Sequence, residues 1–311
     1  MKLNRFLPRL RFSLRAMLVV LTLVGCALGW LMLKRSEARQ EREAAESLSN
    51  LNAMVLYDYG PFEMLSQPTP PGPRWLTALL GENLFVHVQQ VSFPYVDGVL
   101  PEQPYRVDRR DLSDRDLALV GRFKHLKGLN LSGFPIRSAA LADIEHLSSL
   151  IDLSLGVTAI DNEALKHVGK LINLQKLNLW NTNITSDGLK HLAELGQLRM
   201  LHVGGTRVSD EGLVHLANLH GLRTLYLAND SNAHHRARIT DRGMRHLRKL
   251  PNLEHLSLIG TDVTDTGLKE LASLKHLQNL DVSDTKVSEP AARKLEAAVP
   301  GLKVATERPT R

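Results

Sequence analysis

Trp180, Met200, His202, Tyr226, His255 and Ile259, bordered by Lys176 and Asn178, are the side chains in this sequence best suited to grip another molecule. Aromatic rings and methionine offered to solvent are what the centre of a partner-binding surface is enriched in. The chain holds three Trp and five Tyr, so finding two of those eight in one group is a concentration of binding chemistry. The competing reading is that Trp180 leans over the slot of Gly204 and fills a gap in the scaffold. Bond-making chemistry has little to stand on. There is no Gly-rich phosphate loop, the one Cys (Cys26) lies in an apolar run, and no carboxylate pair stands apart from the surrounding pattern. No enzyme activity, cofactor or metal is expected.

A second candidate is the stretch 229–238, with His234, His235, Arg236 and Arg238. Adjacent histidines point apart in extended chain, and no Cys or dedicated third ligand stands nearby, which is poor metal-site geometry. A solvated basic loop touching an acidic partner fits better, and a bland loop fits better still.

What brings the first group together is repetition. Residues 174–195 recur 24 places later as 198–219 and 24 places earlier as 150–171. The phase is kept by Leu129, Leu153, Leu177, Leu201, Leu225, Leu256 and Leu280, and a single step, the one holding the second candidate, is long by seven residues. A fixed period in this range means a solenoid. The first half of each unit, Leu-x-x-Leu-x-Leu, alternates at period two, as a short strand with one buried face does. The second half spaces its apolar residues by three, as in Leu189, Leu192 and Leu195, and reads as a helix. Its cap slot holds Asp161, Thr185, Ser209, Thr240, Thr264 and Ser288, whose oxygens can accept first-turn N–H groups. The acids beside them, Asp187, Asp210, Asp241 and Asp265, suit the positive end of the helix dipole. One such unit buries too little apolar surface to offset its own ordering, so neighbours must close the core.

Stacked strands place equivalent residues in columns on the inward face. The middle column reads Ser92, Asn130, Ser154, Asn178, His202, Tyr226, Ser257, Asp281; Gln90, Gly128, Asp152, Lys176, Met200, Thr224, His255 and Asn279 precede it. The column after holds Ser132, Gly156, Trp180, Gly204, Ala228, Ile259 and Ser283. Asp152 and Lys176 are neighbours there and form an ordinary salt bridge. With one Lys and no Arg, these columns lack the basic stripe nucleic acid would need, so no nucleic-acid partner is expected. His167, His191, His215 and His246 share one helix slot and form a convex ladder beside neighbouring units.

The pattern resembles the leucine-rich repeat family, in the 24-residue variety with Thr in the usual Asn position after the strand, here Thr158, Thr182, Thr206, Thr261 and Thr285. The resemblance covers roughly residues 84–304. It implies an α/β solenoid, a curved parallel sheet with helices on the convex side, and binding as the usual occupation.

Residues 1–15 carry five basic residues and no acid, and residues 16–33 then run eighteen places without a charge, just long enough to span a bilayer. A retained transmembrane signal anchor is the reading. The alternative is a lipoprotein processed before Cys26, against which the apolar run continues for seven residues beyond that Cys. The basic bias favours a cytoplasmic N-terminus and extracytoplasmic repeats by a small margin, and residues 11–15 also look like the anchors of bacterial membrane-bound leucine-rich repeat proteins. Gly25 and Gly29 form a small-xxx-small pair that could bring two spans together. A charged juxtamembrane helix or stalk is expected over 34–52, an N-terminal cap and stretched first repeat over 53–112, repeats with a C-terminal cap over 113–304 and a tail over 305–311. Within the cap, 60–73 reads as a Pro-rich connector, 74–80 as a helical turn and 94–111 as an over-long connection. The net charge of +6 is that of a solvated surface. Together these features describe a membrane-anchored protein that binds a protein, peptide or glycan on its concave face. The alternative is a structural envelope component whose repeats self-associate laterally.

Overall fold

The structure, a computed structural model, describes residues 14–51, 53–57, 87–92, 114–229 and 235–307. The basic N-terminal segment, the connector 60–73, the turn 74–80 and the stretch 94–111 lie outside the described residues. The chain divides into two compact units, to which the described residues contribute 14–43 and then 44–51, 53–57, 87–92, 114–229 and 235–307.

Helix α1, Leu14–Asn50, begins in the first unit. From Met17 to Leu33 its large apolar side chains other than Leu31 are exposed, Trp30 and Met32 among them. By length and composition it can cross a membrane. Thr22, the one hydroxyl in the run, donates to the Leu18 carbonyl at 2.7 Å and so keeps its polar group inside the helix. Charge begins after the run, where Lys34 pairs with Glu37 and Arg39 with Glu43, each at 2.8 Å.

The second unit takes in the end of α1. A charged, solvated helix or stalk is expected there; the segment is helical, but Ala44, Ala45 and Leu48 are no more than 1% exposed and belong to the hydrophobic core. Their spacing places three small or aliphatic residues on one helix stripe. The strand β1, Met54–Tyr57, then pairs antiparallel with β2, Val88–Ser92, in the register Met54 to Ser92. From β2 onward every pairing is parallel and in chain order, through β3 (Gly128–Asn130), β4 (Asp152–Ser154), β5 (Lys176–Asn178), β6 (Met200–His202), β7 (Thr224–Tyr226), β8 (His255–Ser257), β9 (Asn279–Asp281) and β10 (Lys303–Ala305). The central Leu of each of β3 to β9 points into the core, and Leu153, Leu177, Leu201 and Leu225 are all within 1% of complete burial.

Behind the sheet the repeat period leaves room for only a short coil of chain. Asn162–Val168, Asp241–Leu247 and Asp265–Glu270 are α-helical, whereas Ser138–Asp143 and Ser186–Leu192 tighten to 3₁₀ geometry. Apolar residues three apart, as at Leu189 and Leu192, match the three residues per turn of the 3₁₀ form.

Two side-chain ladders hold the repeats in step. The hydroxyls of Thr158, Thr182, Thr206, Thr261 and Thr285 each donate to the carbonyl three residues earlier at 2.6–2.7 Å, closing the turn that leaves the strand. The second ladder crosses between repeats. The backbone N–H groups of Thr240, Thr264 and Ser288 donate to Asp210, Asp241 and Asp265 of the preceding repeat at 2.7–2.8 Å, and their hydroxyls donate to the same carboxylates. Earlier repeats use Asp114, Ser138, Asn162 and Ser186 in that place. Capping therefore departs from expectation. Asp161, Thr240, Thr264 and Ser288 accept first-turn N–H groups, but Thr185 and Ser209 make no such bond and turn to Asn162 and Ser186 instead.

Candidate partner-binding site

The register of β5 to β8 puts Lys176, Met200, Thr224 and His255 on one rung line and Asn178, His202, Tyr226 and Ser257 on the next. With strands about 4.8 Å apart, large side chains on these lines must stack. They do: the Trp180 and His202 rings lie 6.3 Å apart at 25°, and those of His202 and Tyr226 lie 5.0 Å apart at 54°. Each of the three is half-buried.

The scaffold fixes this stack from below. The Trp180 N–H donates to Asn178 Oδ1 at 2.9 Å, and its carbonyl accepts from the Val157 N–H at 2.7 Å. Asn178 in turn donates through Nδ2 to Ser154 Oγ at 3.1 Å. A Cβ on Gly204 would collide with the Ala228 carbonyl and meet His202 Nε2 at 3.1 Å. What crowds the Gly204 slot is thus the next strand and the imidazole, so Trp180 is not needed to fill it.

The chemistry on offer is neutral and polar at its edges. Burial pushes the His202 pKa down from 6.5 to about 4, so the imidazole is uncharged near neutral pH. The indole N–H, the imidazole nitrogens and the Tyr226 hydroxyl make no hydrogen bond to any described residue. At the border, Lys176 Nζ sits 3.7 Å from Asp152 Oδ2, and burial raises the Asp152 pKa against the pull of that lysine. His255 Nδ1 is engaged by Asn279 Nδ2 at 2.9 Å. Met200 and Ile259 are half-buried on the same face, and of these patch residues Trp180, His202 and Tyr226 are the ones joined by ring contacts.

A family model described as a leucine-rich repeat matches residues 249–272. The fold agrees: an internalin (inlF) from Listeria monocytogenes superposes with a TM-score of 0.51 at 21% identity, covering 62% of this chain and 51% of that one. The chain has the leucine-rich repeat fold. A second structure, an internalin C2 (inlC2) from the same organism, aligns at 20% identity and a TM-score of 0.49 over 63% of this chain and 84% of its own. This chain spans about half the length of the first internalin. The search of curated proteins gave no match.

The long step of this chain is closed by a residue that sequence reasoning passed over. Asn229 is buried, and its carboxamide bridges the insertion, donating to the Ala237 carbonyl at 2.8 Å and accepting from the Ala237 N–H at 2.7 Å. An Asn in the first position of the insertion was the available signal. His234 lies outside the described residues. His235 reaches back two repeats to Asn183 Oδ1 at 3.0 Å, with Arg207 Nε 3.4 Å from its Nδ1. Arg236 and Arg238 are exposed.

Among the convex histidines, His167 has a structural partner. His167 Nδ1 meets Glu145 of the preceding repeat at 2.6 Å, and His167 and then Lys170 hold the Glu145 carboxyl below its ordinary pKa. Among the described residues no group of three His, Cys, Asp or Glu is placed to hold a metal ion. Within the apolar helix, Gly25 and Gly29 have nothing within 4 Å of where a Cβ would stand.

Proposed function

We propose that this chain is a non-catalytic binding protein that holds a protein, peptide or glycan partner on its concave face. The stack of Trp180, His202 and Tyr226 carries this reading. It sets three half-buried rings, whose polar edges bond to no described residue, on the open side of a rigid sheet. Apolar area with a few oriented donors and acceptors is what a recognition centre needs. Lys176, Asn178, Met200, His255 and Ile259 complete the contact surface. In the same reading, the apolar part of α1 is a retained signal anchor with its N-terminus cytoplasmic and the repeats outside. Gly25 and Gly29 allow two anchors to approach, so a two-hybrid assay of the span should lose signal with Gly29→Ile.

A photo-reactive amino acid at position 176, on the inward face, tests the site against one at position 190, behind the sheet. Adducts formed in native membranes from 176 and not from 190 are expected. Equal labelling from both positions would mean that the concave face is not the site.

A further inference from the structure

Beside the main sheet a second short ladder runs along the segment that follows each buried Thr. Thr185 bridges to Arg207, Ser209 to Arg238 and Thr264 to Lys286. The N–H groups of Asn183, Arg207, Arg238, Asp262 and Lys286 donate to Ile160, Ile184, Val208, Ile239 and Val263 at 2.8–3.1 Å. These five residues therefore occupy successive rungs, about 4.8 Å apart. On the last two rungs the charges cancel, with Lys286 Nζ 2.8 Å from Asp262 Oδ1. On the two rungs before them they do not. Arg207 and Arg238 are exposed like charges on neighbouring rungs, and neither reaches a carboxylate among the described residues. The insertion adds Arg236, also exposed and also without a carboxylate there.

A hydrogen-bond relay aims this edge. Asn183 Nδ2 donates to the Ala159 carbonyl at 3.2 Å, which turns its Oδ1 toward His235 Nε2 at 3.0 Å. His235 Nε2 must then carry the proton, and its Nδ1 lone pair faces Arg207 Nε at 3.4 Å. Arg207 is thus held through Nε, and its two terminal nitrogens have no partner among the described residues.

We propose that Arg207, Arg236 and Arg238 form a docking edge for an Asp- and Glu-rich segment of a protein partner, with His235 as the positioning residue for Arg207. All three are arginines, whose planar fork matches a carboxylate in two-point contact where lysine would offer a point charge. The adjacent rung of the same column shows the matching solution, since there a carboxylate supplied by the chain itself closes on Lys286. The open rungs take the same group from outside. This edge does not depend on the ring stack.

The test uses the full chain in neutral detergent and fluorescein-labelled poly-L-glutamate, followed by anisotropy across a salt series. Arg207→Gln/Arg236→Gln/Arg238→Gln should bind about tenfold more weakly. Lys249→Gln/Lys275→Gln/Lys303→Gln, which removes the same charge elsewhere, should stay within about twofold of wild type, a difference small enough for surface screening to absorb. His235→Ala should weaken binding less than the arginine triple and steepen no salt dependence. Trp180→Ala/Tyr226→Ala should leave poly-L-glutamate binding unchanged. Equal losses in the two triple variants would overturn the proposal in favour of general charge attraction. So would binding to vesicles containing phosphatidylserine without binding to poly-L-glutamate, which would point to a lipid surface.

Discussion

Val157 has φ of +57°, in the left-handed region that a β-branched side chain avoids. Its counterparts one repeat away are Gly133 and Asn181, and further along Gly205, Gly260 and Asp284 take the same turn at positive φ. The turn is required because the Val157 N–H holds the Trp180 carbonyl at 2.7 Å, so the strain sits directly beneath the ring stack. Val157→Asn should relieve it and stabilise the protein by about 1 kcal/mol, read as a raised midpoint in urea denaturation. His202 gives a second residue-scale outcome. Its folded pKa is about 4 against 6.5, so between those values the unfolded chain binds more protons. Stability should fall as pH drops from 6.5 toward 4, and His202→Gln should flatten that slope. The ring column was legible in the sequence, because the leucine phase fixes which residues share a rung. The titration of His202 was not, since it depends on how closely Trp180 and Tyr226 enclose it.

At the scale of elements, the repeats are joined by the carboxylates at helix starts more than by caps within each helix. Asp241 accepts both the N–H and the hydroxyl of Thr264 at 2.7–2.8 Å. Asp241→Ala should cost about 1–3 kcal/mol, and Asp241→Asn less, measured by chemical denaturation. Hydrogen bonds from the Ser288 N–H and hydroxyl lower the pKa of Asp265, and the Arg137 N–H does the same for Asp114. A depressed carboxyl contributes stability above its unfolded pKa, near 3.8, and loses it as pH falls through the folded value. An acid-induced loss below about pH 4 should therefore be smaller in Asp265→Asn. Serine or threonine followed by aspartate marked these helix starts in the sequence, yet the direction of the bonds was hidden because each crosses to the next repeat. The end of α1 was hidden for another reason. Ala44, Ala45 and Leu48 are set among charged residues, and their burial depends on a sheet end that no local pattern announces.

Over the whole molecule, a stack of near-identical units tolerates an insertion wherever the ladder can be rejoined. Asn229 rejoins it through Ala237, and the extra residues bring His235 back across two repeats to Asn183. Period and phase reveal the solenoid and its inward columns, but a loop outside the period obeys neither, so its contact 52 residues away was beyond reach. The same separation of roles predicts that ring truncation leaves the fold intact, since the stack lies on the open side of a core built from leucines on the other face. The most direct measurement is crosslinked affinity capture from native membranes, comparing wild type with Trp180→Ala/Tyr226→Ala at matched expression and matched thermal stability. A partner captured by the wild type and lost in the double variant is the predicted result. Identical capture profiles would contradict the concave ring stack as the binding site.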